Sequence, residues 1–232
     1  MGPELGRTRV HADSISAGEF PIDSFPVRKR EPGHDVVLEG YILMLDKMTH
    51  PYQIPYGVIV PKVVDGLLVP VAASTTHVAF ATLRLEPTWM ALGQAAGTAA
   101  HLVLQQDSAL RAVSIDRLQR ELLRQGQVLT YFKDIDRADP AYAALQYFGT
   151  KGFFPDYYAR SKEPLDRGTA RAWLDLALAG RGEKPRLASG GGVVTGAEVK
   201  GALQQIGVTI SGDGPLSRGE FCRMLYDALA GK

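Results

Sequence analysis

A gapless internal repeat constrains this chain most. Leu165-Asp-Arg-Gly-Thr-Ala-Arg-Ala-Trp-Leu-Asp-Leu-Ala-Leu-Ala-Gly180 aligns residue for residue with Leu216-Ser-Arg-Gly-Glu-Phe-Cys-Arg-Met-Leu-Tyr-Asp-Ala-Leu-Ala-Gly231. Leucine, arginine and glycine coincide at the start, and Ala-Leu-Ala-Gly closes both copies. Upstream, Ala144-Leu-Gln146 with Gly149 echoes Ala202-Leu-Gln204 with Gly207. A recurring unit of this size cannot bury its apolar face alone, so its copies must pack on one another. Each copy reads as helix, loop, helix. Asp166 and Ser217 occupy N-cap positions, and Ser217 with Glu220 has the spacing of a capping box. Ser189-Gly-Gly-Gly192 is the expected flexible joint between copies. Residues 128–232 are therefore expected to form a small all-α repeat domain. Residues 1–127 must fold on other terms.

That first part reads as α+β. Val36–Met44 is an apolar stretch expected to be a strand. Pro51-Tyr-Gln-Ile-Pro-Tyr56 is extended, because a residue before proline is pushed away from helix. Val58–Pro61 and Leu67–Ala72 are expected to be short buried strands joined by a turn at Asp65-Gly66. Pro87–Leu104 is the clearest helix, with proline in the first turn where its missing N–H costs nothing. Gly93 and Gly97 share one of its faces, as do Ala96 and Ala100. Each glycine costs a helix about 1 kcal/mol relative to alanine, which suggests that something must approach this face closely. A second amphipathic helix is expected over Ile115–Gln125. Arg28-Lys29-Arg30, followed by Glu31-Pro-Gly-His-Asp35, reads as a solvated loop.

Composition excludes several functions. Lys+Arg 26 against Asp+Glu 25 gives a formal charge of +1, so no global field attracts nucleic acid or a membrane. The single cysteine, Cys222, permits no internal disulfide and no cysteine-cluster metal site. The histidines, at 11, 34, 50, 77 and 101, lack metal-ligand spacing. No Gly-x-Gly-x-x-Gly, P-loop or Gly-x-Ser-x-Gly occurs. No apolar run is long enough to span a bilayer, and the N-terminus has no hydrophobic segment of a signal peptide.

The chemically informative block is Ser74-Thr-Thr-His-Val-Ala-Phe-Ala-Thr-Leu-Arg-Leu-Glu-Pro-Thr-Trp-Met-Ala-Leu-Gly-Gln-Ala-Ala-Gly-Thr-Ala-Ala100. It reads as a polar loop bearing His77, Arg84 and Glu86, running into the start of the small-residue helix. Unpaired N–H groups and the positive dipole end at such a start stabilise negative charge. His77 reads as a proton donor or as a capping or core histidine. Arg84 reads as an anion-binding group or as one half of an ion pair with Glu86 or another carboxylate. Glu86 reads as a helix-start charge, and Trp89 as core or as a stacking platform.

This block strongly resembles the C-terminal part of bacterial FAD-dependent oxidoreductases sometimes called xanthan lyases. The resemblance covers residues 10–105. It is carried by Asp13-Ser-Ile-Ser-Ala-Gly18, Pro21-Ile-Asp23, Tyr52-Gln-Ile-Pro-Tyr56, Pro61-Lys62, Asp65-Gly-Leu-Leu-Val69, Thr76-His77, Pro87-Thr88 and Met90-Ala-Leu-Gly-Gln-Ala-Ala-Gly-Thr-Ala-Ala100. It implies the C-terminal part of a glutathione-reductase-like FAD-binding fold, without the N-terminal Rossmann motif, and FAD as cofactor. It implies that Leu67–Ala72 is the last strand of that fold. It also implies cofactor contacts from Thr88, Trp89, Met90, Ala91, Gly93, Gln94 and Gly97, with the backbone N–H groups around Trp89, Met90 and Ala91 facing the flavin. His77 and Arg84 are the implied catalytic residues. Many relatives carry Ala-Gly-Arg where this chain has Pro70-Val71-Ala72.

Residues 128–232 resemble a degenerate S-layer homology module, through Tyr131-Phe-Lys-Asp-Ile135, Gly152-Phe-Phe-Pro-Asp156 and the two Leu-x-Arg-Gly starts. That resemblance implies attachment to a cell-wall polysaccharide, with Arg167 and Arg218 as sugar-acid contacts or supports of the helix starts. The expected reading is thus hydride transfer between a small-molecule or carbohydrate substrate and flavin, completed by an N-terminal half. The alternative is a non-catalytic wall-anchoring module. The residues themselves give no localisation; the family resemblance implies the cell surface or the periplasm.

Overall fold

The structure is a computed structural model that describes residues 8–26, 32–33, 42–43, 50–178, 187, 190–204 and 212–230. The Arg28–Arg30 cluster, His34, most of Val36–Met44 and Ser189 lie outside the described residues. The chain divides into two compact units, one of residues 13–129 and one of residues 1–12 with 130–232.

In the unit of residues 13–129, strand β1 (Ser14–Gly18) pairs antiparallel with β4 (Tyr52–Pro55), with an irregularity between Ser14 and Ser16. Strands β2 (Asp23–Ser24) and β3 (Ile42–Leu43) form a second antiparallel pair. Helix α1 (His77–Leu83) packs on β2, capped by Thr76, whose side chain accepts from Ala79 N. Helices α2 (Glu86–Gln106) and α3 (Ile115–Arg124) pack on each other and on β1. Their buried stripe includes Leu92, Ala95, Ala99, Leu118 and Leu122, all fully buried with Ile15 of β1. Two buried glutamines tie the layers together. Gln119 donates to Ser14 O at 2.9 Å, and Gln127 donates to Ile15 O at 3.1 Å and to Ala91 O at 3.0 Å.

The expected strands at Val58–Pro61 and Leu67–Ala72 do not form. Tyr56–Ile59 is a 3-10 turn, entered from the extended Pro55. Residues 67–72 run without strand structure, held to the turn by Val69 N to Ile59 O at 2.8 Å. Ser74 N bonds Val58 O at 2.7 Å. Two reasons are local. Pro61 and Pro70 have no N–H to give a ladder. A buried strand also needs partners on both edges and cover on both faces. Here Leu67 is 45% exposed and Val71 50%.

The other unit is helical among its described residues: α4 (Tyr142–Gly149), α5 (Arg167–Ala177), α6 (Gly196–Gln204) and α7 (Arg218–Leu229). An aromatic cluster fills its core. Phe148 stacks on Phe153 at 4.4 Å between centroids, and Phe153 stacks on Trp173 at 5.0 Å. The indole of Trp173 donates to Phe153 O at 2.8 Å, so its one polar atom is satisfied inside the core.

The repeat has a third, shorter copy that the alignment of the two long ones missed. Leu165, Val194 and Leu216 each precede a helix cap. Their backbones close a ring of three hydrogen bonds: Leu165 N to Leu216 O at 2.8 Å, Leu216 N to Val194 O at 3.0 Å, and Val194 N to Leu165 O at 2.9 Å. The caps are equivalent. Asp166 accepts from Thr169 N, Thr195 from Glu198 N, and Ser217 from Glu220 N. Glu198 and Glu220 reach back to the backbone N–H of Thr195 and Ser217, completing capping boxes. These contacts hold the Glu198 and Glu220 carboxyls below the usual carboxylate range.

Candidate functional site

The small-residue helix α2 is the centre of the candidate site. It begins one residue earlier than its proline predicts, at Glu86, with Leu85 extended before it and no side chain capping the start. Proline in the first turn and an acidic side chain there both favour this boundary. The shift withdraws one donor, that of Trp89. Trp89 N bonds Leu85 O at 3.0 Å, and Met90 and Ala91 lie further inside the helical ladder. The N–H groups without intrahelical partners are those of Glu86 and Thr88, not those around Trp89, Met90 and Ala91 as the sequence implied.

The residues named on this helix from the sequence differ in what surrounds them. Trp89 is half-buried and tilted against Phe80, 6.5 Å between centroids. Its indole nitrogen is buried with no hydrogen-bond partner among the described residues. Met90 is 75% exposed. Gln94 is committed to α3, donating to Gln125 Oε1 at 3.1 Å, an acceptor that it shares with the Thr98 hydroxyl. Gln125 in turn donates to Glu121 at 2.7 Å, and Arg124 and Gln125 together hold the Glu121 carboxyl down at about 2. Gly93 and Gly97 face open space, since a Cβ built on either would meet nothing within 4 Å. The close approach that the glycines suggested is not made by any described part of this chain.

His77 and Arg84 do not form one constellation. Neither lies in the loop expected for them. His77 is the exposed first residue of α1, and Arg84 is the residue that ends it. Seven residues of helix separate them by about 10 Å along its axis. Arg84 donates to Asp23 at 3.0 Å and lies over the ring of Phe25 at 5.2 Å. Its carboxylate partner is thus Asp23, not Glu86, which is exposed in the first turn of α2.

In the helical unit, Arg167 and Arg218 stand at equivalent places but do different things. Arg167 pairs with Glu198 at 2.6 Å, linking two of the three helix starts. Arg218 lies over the face of Trp173 at 5.0 Å, with Glu163 at 3.9 Å. Cys222 is fully buried, and desolvation pushes its thiol far above the usual range, which makes it unreactive. Among the described residues there is no cluster of side chains able to hold a metal, and no helix is long and apolar enough to cross a membrane.

A family model described as FAD dependent oxidoreductase matches residues 3–122. No curated protein and no solved structure matches the chain.

Proposed function

The chain belongs to the FAD dependent oxidoreductase family, and from that premise we propose that residues 13–129 form the C-terminal part of a glutathione-reductase-like flavin site. The family implies FAD as cofactor and, at a coarse level, a redox function. The match over residues 3–122 is the observation that carries the reading.

The start of α2 fits a flat ring with a polar edge. Two uncapped N–H groups, at Glu86 and Thr88, open the helix, and the next residue, Trp89, carries a buried indole N–H that has no acceptor among the described residues. Gly93 and Gly97 leave a smooth, open strip along the next two turns. When bound, the flavin supplies hydride transfer at N5 with the substrate. The residues of this chain then hold and polarise. Thr88, Trp89, Met90, Ala91, Gly93 and Gly97 would line the ring, and the helix dipole would favour negative charge at its edge. Gln94 acts at one remove, by fixing α2 to α3. His77, exposed and unconstrained by burial, is the candidate proton donor toward a small-molecule or carbohydrate substrate. Arg84, held by Asp23, positions β2 and α1. The sequence has no glycine-rich turn for a pyrophosphate, so the ADP end would be held by an N-terminal half of the fold.

The experiment is a titration of the whole chain with FAD, followed by flavin and tryptophan fluorescence, on wild type and Gly97→Leu. Saturable binding that Gly97→Leu weakens at least tenfold is the expected result. Binding that Gly97→Leu leaves unchanged overturns the assignment of this face. No binding by wild type means that the ring is held only together with the N-terminal half, and overturns this chain as a flavin site by itself.

A second reading concerns the helical unit alone. The three equivalent helix starts, with Arg167 and Arg218 beside them, favour a repeat module that attaches to a cell-wall polysaccharide and places the chain at the cell surface or in the periplasm. Wall-polysaccharide pull-down with the whole chain tests it, and no retention sinks it.

A further inference from the structure

Far along α2 from its start lies a cavity that the redox reading does not use. It has a volume of about 360 Å³. Val60, Val64 and Leu67 line it from the irregular segment that replaces the expected strand, and Ala100, Val103 and Leu104 line it from α2. Thr88 and Ala100 are twelve residues apart on one helix, about 18 Å along its axis, so the cavity lies well beyond the helix start, although Ala100 is only one turn past Gly97.

The walls are held open by specific bonds. Arg111, in the 3-10 turn Leu110–Ala112, donates to Pro61 O at 2.7 Å and to Val64 O at 3.0 Å, and it pairs with Asp65. One side chain therefore clamps both ends of the 61–65 loop to the body of the unit. The same contacts neutralise the mouth. The Arg111 guanidinium is spent on a carboxylate and two carbonyls, so it is not available to attract an anion. Ser108 is the one hydroxyl-bearing residue of the lining. The remaining surface is mostly aliphatic, and Leu104 and Val64 at the rim are 82% and 54% exposed.

Apolar cavities of well under half this volume stay dry and take up benzene-sized molecules. This one lies at the lower end of the volumes of small-molecule sites, about 300–1,000 Å³. We infer that the cavity between α2 and the 60–67 segment is a binding site for a small neutral apolar molecule of one or two rings, or the equivalent alkyl chain, carrying a single hydrogen-bonding group. Neutrality follows from the Arg111–Asp65 pairing. The apolar body follows from the aliphatic walls, and the single polar group from Ser108 as the one hydroxyl of the lining.

The test uses the whole chain and two probes of one shape, 1-naphthol and 1-naphthalenesulfonate. Fluorescence titration and calorimetry are expected to give saturable one-to-one binding of 1-naphthol and at least tenfold weaker binding of the sulfonate. Ala100→Phe fills the cavity from the helix side and should abolish 1-naphthol binding. Leu104→Glu sets a charge at an exposed rim position that tolerates it, and should weaken 1-naphthol several-fold even where Ala100→Phe fails to fold. Equal affinity for the two probes overturns the neutral-ligand assignment. So does 1-naphthol binding that survives both substitutions. A wild-type chain that is dimeric by light scattering, takes up neither probe and becomes monomeric in Leu104→Glu would show this face to be an interface between copies, and would also overturn the proposal. Because FAD binding is read separately, failure here is distinguishable from failure of the flavin assignment.

Discussion

Gln127 is where the candidate site can be loosened with least disturbance elsewhere. Its side-chain amide donates to Ile15 O at 3.1 Å and to Ala91 O at 3.0 Å, so one –NH₂ group ties strand β1 to the second turn of α2. Gln127→Leu keeps the approximate volume and removes both bonds. A net intramolecular hydrogen bond is worth about 0.5–1.5 kcal/mol. Ala91 O keeps its helical partner, so its loss lies at the lower end. Ile15 is fully buried, so its loss lies at the upper end. The sum is about 2 kcal/mol. For a unit slightly larger than 100 residues this lowers Tm by roughly 8 °C. Gln127→Glu sharpens the test. The introduced carboxylate would face two carbonyl oxygens, and only its protonated form can donate. Its folded pKa is therefore raised above the unfolded value. The variant should be least impaired relative to wild type below about pH 4.3, and should lose stability as pH rises through the raised value. Urea midpoints across pH, at constant m-value, measure both effects. A Gln127→Leu loss under about 0.5 kcal/mol, or a Gln127→Glu deficit independent of pH, would refute the reasoning.

Three further outcomes follow from the same kind of argument. Tyr56 is buried, its hydroxyl donates to Leu110 O at 2.9 Å, and burial pushes its pKa up to about 12. Its stabilising contribution is therefore present below the ordinary tyrosine value of about 10 and lost as pH rises through about 12; Tyr56→Phe should remove that alkaline limb in denaturation curves and cost about 1 kcal/mol. Glu121, held at about 2 by Arg124 and Gln125, stabilises above the unfolded value of 4.5 and loses that contribution as pH falls toward 2, so Glu121→Gln should flatten the acid limb of the same curves. Ser217→Ala removes one of the three equivalent caps and should cost about 1 kcal/mol by urea denaturation; no loss would mean that the backbone ring alone fixes the helix starts.

The elements legible in the sequence were those fixed by local chemistry. Helices α2 and α3 stand within about two residues of where Pro87 and the apolar period put them, and the caps at Asp166 and Ser217 stand where the repeat puts them. The third helix start was equally local, since Thr195 and Glu198 have capping-box spacing. It was hidden because Gly196 stands where the other copies have arginine, which broke the alignment. What failed was non-local. Val58–Pro61 and Leu67–Ala72 have strand composition, but a strand is made by its neighbours, and the backbone bonds of this region are isolated ones rather than a ladder. On α2, the resemblance named the N–H groups around Trp89, Met90 and Ala91; Met90 and Ala91 lie inside the ladder with either start, and the one-residue shift adds Trp89 to them. Nor could the sequence show that Asp23 takes Arg84 or that Gln125 takes Gln94. Both pairings join residues distant in the chain.

Helix α2 itself poses a choice between packing and approach, and stability can decide it. Glycine in the interior of a helix costs about 1 kcal/mol relative to alanine. Gly93 and Gly97 could justify that cost by packing only if a Cβ there would strike something, and neither would meet an atom within 4 Å. Gly93→Ala and Gly97→Ala should therefore each stabilise the chain by up to about 1 kcal/mol. The apolar stripe of Leu92, Ala95 and Ala99 that holds α2 in place would be untouched. If the glycines are kept for a ligand that lies against them, the same two substitutions should weaken FAD binding as they raise Tm. Opposite signs of the two effects in one protein would be hard to produce by any packing argument. Destabilisation by either alanine would mean instead that the strip is covered by polypeptide, and would remove the smooth face from the flavin assignment.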